Sequence, residues 1–371
     1  MAKHPLMYAI FCFSLANLFS QTNEKPWMLG PFLRDADAMP IISKNAASVF
    51  KDPVTGALAH WESMAAFNPA AMVKNDSIYL FYRAEEKLGD KEIGGHRSRI
   101  GLAVSADAVN YIRQNVPIFY PDNDAQKKYE WPGGTEDPRI VETEDGTYVL
   151  TYTQWNREFP RLAIATSKNL KDWDKHGPVF EEYGQGKYHN QETKSGAIVT
   201  RLMDGKLVAA KINGKYWMYF GVPHIWLASS TNLIDWTPLE THEGKLAPVL
   251  SPRTGYFDSW LVEAGPPPVL TEDGIVVLYN AGNSKNVGVQ NLGNRVYTGG
   301  QALFDKRKPW KLLDRTDVPF IKPELPFEKS GQYADGTTFL EGLVFFKGQW
   351  HLYYGTADSM VCKVSWQPTK N

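Results

Sequence analysis

Two carboxylates and a guanidinium stand together in residues 133–140, which read Gly-Gly-Thr-Glu-Asp-Pro-Arg-Ile. A tight Gly-Gly turn precedes Glu136, Asp137 and Arg139, and strand-like apolar residues follow them. Charged side chains at such a junction suit the wall of a pocket better than a core, because a buried charge is costly unless it is paired. On its own the pattern favours a surface salt bridge between Arg139 and a nearby acid; a reacting carboxylate is the alternative.

The elements that must position these residues follow a repeat. An acidic or Asn/Gly turn leads into an alternating aromatic strand five times, at intervals of about 60 to 75 residues. Turns such as Asn-Gly and Asp-Gly favour hairpins, because both residues accept positive φ. Each unit continues through an Ala/Ser-rich strand to an aromatic residue and ends at a proline followed by apolar residues. Units of this length with several short strands are typical of β-propellers, so the sequence predicts an all-β, five-bladed β-propeller.

The two ends of the chain complete this pattern. Residues 40–42, Pro-Ile-Ile, form a closing strand with no upstream partner, and the fifth unit lacks its own closing strand. We therefore expect the N-terminal strand to complete the last blade and close the ring, which removes a free sheet edge. A β-sandwich is the alternative fold, but it would not predict five copies of one unit.

The charge and the aromatic content of the chain limit the classes of molecule that it is expected to bind. The chain has 371 residues and a formal net charge of -1. Its cations are scattered, which argues against nucleic acid or an anionic membrane surface as the main partner. The 12 Trp, 18 Tyr and 18 Phe suit packing in sheets and also stacking on sugars. The His residues are dispersed with no paired spacing, so no metal and no cofactor are expected; the oligomeric state is left open.

The N-terminus is typical of a secretory signal. Lys3 and His4 precede a mostly apolar run that is too short and too interrupted to span a membrane. We expect residues 1–20 to be a signal peptide, residues 21–371 to be one propeller domain, and the protein to be secreted or periplasmic. Only Cys362 would then remain, which excludes an intrachain disulfide and a Cys-based zinc site.

In a propeller the innermost strand of each blade lines a central funnel, and here it should precede each turn-strand copy. This places Asn68, Glu136, Asp137, Lys194 and Glu263 near the mouth of the funnel. Carboxylates on different blades suit glycosidic bond cleavage, in which one acid protonates the leaving oxygen and, with inversion, a second activates water. Asp137 is the candidate acid and Glu263 the candidate base. The alternative for Glu263 is a structural ion pair.

Several motifs carry a family resemblance across most of the chain. They are residues 67–70 (Phe-Asn-Pro-Ala), 98–103 (Ser-Arg-Ile-Gly-Leu-Ala), 134–139 (Gly-Thr-Glu-Asp-Pro-Arg), 212–216 (Ile-Asn-Gly-Lys-Tyr), 225–228 (Ile-Trp-Leu-Ala), 264–268 (Ala-Gly-Pro-Pro-Pro) and 353–358 (Tyr-Tyr-Gly-Thr-Ala-Asp). In these the chain resembles glycoside hydrolase family 130, the β-mannoside phosphorylases and β-mannosidases.

The resemblance implies a general acid at Asp137 that acts through a substrate hydroxyl. It also implies that Asn68, Arg83 and Asp358 hold the mannosyl unit before the scissile bond. Further substrate-binding candidates are Arg99, Glu136, Arg139 and Lys194. The expected partner is a β-manno-oligosaccharide or another mannose-containing glycan.

Departures from the family pattern bear on the acceptor. Family phosphorylases carry a His after the Tyr of the fourth copy, where this chain has Asn280, and a Gly where it has Glu263. A carboxylate there would repel phosphate and could activate water, which resembles the family's inverting hydrolases of β-1,2-mannosides. Val222 stands where those hydrolases are expected to carry a second Glu, and Lys194, Arg161 and His224 are possible anion ligands.

The leading hypothesis is thus an exported, inverting β-mannosidase acting on β-1,2-mannosides, since a phosphorylase retains bond energy that is useful only inside a cell. The alternatives are a β-mannoside phosphorylase and a non-catalytic glycan-binding propeller. The polar loop over residues 281–295 is either a plain surface connection or part of the funnel rim that sets an acceptor subsite.

Overall fold

A computed structural model describes residues 25–89, 95–333 and 335–368. The predicted signal peptide over residues 1–20 lies outside these residues. Within them the chain is built of short strands and turns, with one short α-helix, α1 (Lys127–Glu130), and two 3-10 turns at Gln290–Leu292 and Pro326–Lys329. The all-β prediction is confirmed.

The strands follow one another as five antiparallel meanders after a small hairpin. The hairpin and the first two meanders comprise β1 (Phe50–Lys51) and β2 (Leu58–Ala59); β3 (Ala65–Lys74), β4 (Ser77–Lys87), β5 (His96–Ser105) and β6 (Ile112–Arg113); and β7 (Gly134–Glu142), β8 (Tyr148–Trp155), β9 (Pro160–Ser167) and β10 (Asp174–Pro178).

The third meander has a small hairpin inserted after its first strand. It comprises β11 (Ala197–Ile198), β12 (Thr200–Met203), β13 (Lys206–Ala209), β14 (Lys211–Ile212), β15 (Lys215–Phe220), β16 (Trp226–Ser230) and β17 (Thr237–Pro238).

The fourth and fifth meanders complete the chain. They comprise β18 (Leu261–Ala264), β19 (Val269–Leu270), β20 (Ile275–Gly282), β21 (Tyr297–Phe304) and β22 (Leu312–Arg315), then β23 (Thr338–Phe346), β24 (Gln349–Thr356) and β25 (Met360–Trp366).

The predicted turns set the register of these hairpins. Lys74 pairs with Ser77 across a two-residue turn in which Asn75 and Asp76 have φ of 49° and 51°. Asn, Asp and Gly tolerate this left-handed backbone better than other residues. The turns of the repeat, at residues 75–76, 213–214 and 347–348, thus directly precede β4, β15 and β24.

The core lies between neighbouring meanders as five apolar clusters. Successive clusters join the first meander to the second, the second to the third, the third to the fourth and the fourth to the fifth. The remaining cluster packs Tyr82 of β4 with Tyr353 of β24 and Val361 of β25, so the fifth meander contacts the first. Burial of these faces is the main stabilising contribution to such a fold.

The N-terminal segment pairs with the last strand. Leu33 and Ile42 form antiparallel bridges with Ser365 and Val361 of β25, as the proline-led segment at 40–42 predicted. Among the described residues the strands form sheets of two, fifteen, five and three strands, none of them closed. The five-bladed ring therefore stays a prediction.

Irregularities in the first strands of three meanders prepare the site. Register shifts occur between Phe67 and Pro69 in β3, between Glu136 and Arg139 in β7, and between Leu340 and Gly342 in β23. A bulge re-aims the side chain at the extra residue and is often found beside active sites.

Candidate active site

The bulges of β3 and β7 bring an amide and a carboxylate together. Asn68 and Asp137 are the bulged residues, with φ of 46° and 47°, and each precedes a proline. Asn68 Nδ2 donates to Asp137 Oδ1 over 2.9 Å. Gly355 leaves the room for this contact, because a Cβ there would lie 2.2 Å from Asn68 Oδ1.

Arg83 holds the acids of this group together. Its Nη1 lies 3.0 Å from Asp137 Oδ1, and its Nη2 lies 2.6 Å from Glu85 Oε1 and 2.9 Å from Glu136 Oε1. His96 Nε2 lies 3.0 Å from the same Nη2. Attraction to the three carboxylates outweighs the opposing effect of burial and raises the pKa of Arg83. A planar guanidinium with several donors is suited to such a junction.

Asp137 is ionised in this arrangement. Burial alone would raise its pKa, but attraction to Arg83 and Lys194, with the hydrogen bond from Asn68, lowers the pKa of Asp137 to about 2. A carboxylate in this state can protonate a leaving group only after substrate weakens these interactions.

A second carboxylate near Lys194, Glu263, comes from β18 of the fourth meander. Glu263 Oε1 accepts a hydrogen bond from Ser195 Oγ and lies 3.0 Å from Lys194 Nζ. Attraction to Glu263 and to Asp137 overcomes burial and raises the pKa of Lys194. Lys194 therefore interacts with both candidate catalytic acids. Glu263 Oε2 is buried and has no hydrogen-bond partner among the described residues.

Val222 lies beside this pair, where a second Glu was expected. The adjacent Gly221 N–H donates to Lys194 O over 2.8 Å, and Val262 N–H donates to Pro223 O over 3.0 Å. The segment thus joins the irregular chain that carries Lys194 to β18, which carries Glu263, and its half-buried valine supplies no carboxylate.

Arg139 lies beneath the acids. Its guanidinium is 2.6 Å from Glu341 Oε1, donates to the carbonyls of Ala264 and Gly265, and reaches Asp137 O over 3.2 Å. Burial raises the pKa of Glu341, although Arg139 opposes the shift. Arg139 is buried and donates to the backbone carbonyl of Asp137, so it helps to position that residue.

Asp358 lies in the turn between β24 and β25. Burial, together with repulsion from Glu85 and Asp137, raises the pKa of Asp358 to about 6, although Arg83 and Lys194 oppose the shift. Its φ is 49°, a backbone geometry that Asn also adopts. With this pKa the carboxyl gains a proton at mildly acidic pH.

The structure therefore brings most of the predicted site residues together, namely Asn68, Arg83, Glu136, Asp137, Lys194, Glu263 and Asp358, with Arg139 below them.

Arg99 does not join this group. It is fully buried, with Nη2 2.5 Å from Asp52 Oδ2 and Nη1 3.0 Å from Glu86 Oε2. The neighbouring Ser98 donates to Glu136 over 2.9 Å. Because successive side chains of a strand face opposite sides, Arg99 points away from the acids. The assignment of Arg99 to substrate binding is corrected accordingly: it stabilises the outer side of β5.

Sequence reasoning missed several residues of the site. The same period of two could have placed Glu85 beside Arg83, and Ser98 beside His96. The alternation of side chains along a strand could not place Ser195 or Glu341. Ser195 has a positive φ of 59°, and Glu341 lies at the register shift between Leu340 and Gly342. Their partners are distant in sequence, so only the folded chain shows them.

Within residues 25–89, 95–333 and 335–368, no group of three or more His, Cys, Asp or Glu is arranged to hold a metal ion. Over the same ranges no helix is long and apolar enough to cross a membrane.

We expect Asp358→Asn to stabilise the protein at pH 8 and to have a smaller effect at pH 4. A carboxyl whose pKa rises on folding stabilises the native state at pH values below the pKa of the unfolded chain. That contribution is lost as the pH rises through the folded pKa of about 6. A rise from 3.8 to about 6 corresponds to about 3 kcal/mol. Thermal melts of both proteins between pH 4 and pH 8 measure the effect, and an equal change in Tm across this range would contradict it.

Residues 34–370 match the family model of glycoside hydrolase family 130, described as beta-1,4-mannooligosaccharide phosphorylase. The chain belongs to glycoside hydrolase family 130. The resemblance seen in the sequence motifs is thereby confirmed.

Members of family 130 with similar chains have different names. A protein named 1,2-beta-oligomannan phosphorylase from Thermoanaerobacter sp. (strain X514) is 33% identical over 305 residues, covering 81% of this chain and 89% of that protein. A glycosyl hydrolase structure from Bacteroides ovatus is 50% identical with a TM-score of 0.91, covering 94% of this chain and 97% of that one.

Another solved family 130 structure is described by the words "The GH130 family of mannoside phosphorylases contains glycoside hydrolases that target beta-1,2 mannosidic linkages in Candida mannan". It is 50% identical with a TM-score of 0.91, covering 94% of this chain and 96% of that one. A glycoside-active enzyme is therefore supported. The phosphorylase names favour the predicted alternative over hydrolysis, which is not confirmed.

Proposed function

We propose that this enzyme cleaves β-1,2-mannosidic linkages by a single displacement with inversion, with Asp137 supplying the proton to the leaving oxygen. One observation carries the proposal: Glu263 of the fourth meander lies 3.0 Å from Lys194 Nζ, and the charge of Asp137 on the second meander also acts on this lysine. An inverting displacement needs two acids, one for the leaving group and one for the acceptor. The names of the similar proteins support the β-1,2 linkage.

Substrate binding would give Asp137 its proton. The mannosyl hydroxyls would accept hydrogen bonds from Asn68 and Arg83, the groups that hold the pKa of Asp137 near 2. Loss of these contacts raises the pKa of the carboxyl, and exclusion of water raises it further. A substrate hydroxyl between Asp137 and the leaving oxygen would then relay the proton, as the family resemblance implies.

The local charge favours water as the acceptor. Carboxylates outnumber cations around the site: Glu85, Glu136, Asp137, Glu263 and Asp358 stand against Arg83 and Lys194. Such a field repels a phosphate dianion. The unpartnered Oε2 of Glu263 could accept a proton from water as the water attacks the anomeric carbon. We therefore propose hydrolysis, with Glu263 as general base.

Phosphorolysis is the second candidate. The named phosphorylases support it, and Lys194, whose side chain is 30% exposed, could bind a phosphate oxygen if its contact with Glu263 opened. No second carboxylate stands at Val222 to reinforce repulsion of the anion.

Product analysis of β-1,2-mannobiose cleavage separates these candidates. We expect proton NMR to show mannose released with the α-anomer formed first, at a rate unchanged by added phosphate. Mannose 1-phosphate formed only when phosphate is present would establish phosphorolysis instead. Absence of turnover in both conditions, with binding retained, would support a non-catalytic glycan-binding protein.

We also propose that residues 1–20 are a removable leader, that residues 21–371 form one domain, and that the protein is exported. The apolar run after Lys3 supports the leader. N-terminal sequencing of the protein recovered outside the cytoplasm tests this, and a mature chain that still begins at Met1 would contradict it.

A further inference from the structure

Three half-buried aromatic rings lie together on one side of the site. The ring centres of Trp260 and Tyr297 are 5.9 Å apart, and those of Tyr297 and Tyr333 are 5.6 Å apart. The exposed Arg295 places its guanidinium carbon 5.1 Å from the centre of the Trp260 ring. We call these four residues the aromatic rim.

The aromatic rim adjoins the acid cluster. Tyr333 N–H donates to Ala357 O over 3.1 Å, next to Asp358. The preceding Gln332 donates to Glu85 over 2.8 Å and to Asp358 O over 2.7 Å. Burial, with the nearby charges of Glu263 and Asp358, raises the pKa of Tyr297. The row of rings therefore runs from Tyr333, next to the acids, through Tyr297 to Trp260 and the exposed Arg295.

The chain holds the aromatic rim in place. Gly282 makes room for the indole, because a Cβ there would lie 2.6 Å from Trp260 Cε3. Asn283 fixes the loop that leads to Arg295: its Nδ2 donates to Val289 O over 3.0 Å, and its Oδ1 accepts from Val289 N–H over 2.9 Å.

Tyr333 fixes the other end of that loop, since its hydroxyl donates to Arg295 O over 3.0 Å. The loop over residues 283–295 is therefore tied to the site at both ends. This agrees with a place on the rim better than with a plain surface connection.

We propose that the aromatic rim is a subsite for a mannosyl unit beyond the two that flank the scissile bond, so that the enzyme prefers β-1,2-mannotriose to β-1,2-mannobiose. The sugar's identity rests on the proposed function. Partly exposed aromatic faces can stack on the apolar face of a pyranose, and rings already fixed by their neighbours lose little conformational entropy on binding. Arg295 adds donors for the sugar hydroxyls.

The test compares kcat/KM for mannotriose and mannobiose in Trp260→Ala, Trp260→Phe and Arg295→Gln. Loss of one stacking surface should lower the trisaccharide to disaccharide ratio about tenfold in Trp260→Ala, with mannobiose turnover nearly unchanged. Trp260→Phe should retain most of the ratio. Arg295→Gln, a surface change, should lower it about threefold. Trp310→Ala, at a 44% exposed tryptophan in the turn between β21 and β22 that packs against Trp217 of β15, is the matched control.

A ratio that stays unchanged in Trp260→Ala, or an equal fall for both sugars, would overturn the subsite. If the parent protein cleaves neither sugar, with or without phosphate, the proposed function fails by itself. Calorimetric binding of mannotriose and mannobiose to the parent and to Trp260→Ala then decides the subsite separately: a loss of affinity confined to the trisaccharide supports it, and equal affinities contradict it.

Discussion

Asp137→Asn is expected to lower kcat on β-1,2-mannobiose by about 10³-fold, the usual contribution of a general acid. The carboxamide keeps the shape of the side chain, and Asn tolerates the φ of 47° at this position. Arg83 remains paired with Glu85 and Glu136, so the fold should persist. Initial rates and a thermal melt of the variant measure the two effects.

A matched control has the same substitution at another left-handed position. Asp76 has a φ of 51° in an exposed turn, and Asp76→Asn should leave kcat unchanged. If Asp137→Asn kept more than a tenth of the parent rate while it remained folded, the role of Asp137 as acid would be excluded.

Glu263→Ala is expected to lower hydrolysis by about 10³-fold and to make the remaining activity respond to added anions. Removal of the base deprives the attacking water of its proton acceptor. It also frees Lys194 from its contact of 3.0 Å and removes one negative charge from the path of an anion. We expect azide or phosphate to restore part of the rate, because neither needs a base to act as a nucleophile.

The matched variant is Glu263→Gln, which removes the charge but keeps the side chain's volume in place. It should lose hydrolysis as Glu263→Ala does and gain less from azide, because the amide still occupies the acceptor's space. Product analysis by proton NMR identifies a mannosyl azide or a mannosyl phosphate directly. A Glu263→Ala protein with the parent rate and no response to anions would exclude Glu263 as the base.

Much of the site follows from sequence because its key residues occur in local patterns. Asp137 and Asn68 stand before prolines at the start of predicted inner strands, and the five-fold repeat was enough to expect them near one another. The contact of 2.9 Å between them bears this out. The all-β class could be predicted from the turns, because hairpin turns require positive φ and the sequence supplies Asn, Asp and Gly there.

The rest depends on geometry that sequence does not encode locally. Alternation along β5 decides that Ser98 faces the acids and Arg99 faces away, and one residue of error in register reverses that assignment. The low pKa of Asp137 could not be expected either, because it arises from Arg83, Lys194 and Asn68, which lie on other segments of the chain. The sequence indicated Asp137 as the candidate acid but not the charges that lower the pKa of its carboxyl.

The bridges from Leu33 and Ile42 to β25 constrain the order in which the molecule can assemble. The segment with Leu33 and Ile42 receives its partner strand only after β25, which lies far along the chain, has been synthesised. Until then its backbone donors and acceptors lack these contacts, and closing so long a loop is slow. The final step of folding should therefore join the two ends, and a C-terminal truncation that removes β25 should leave the N-terminal segment open to proteolysis as well.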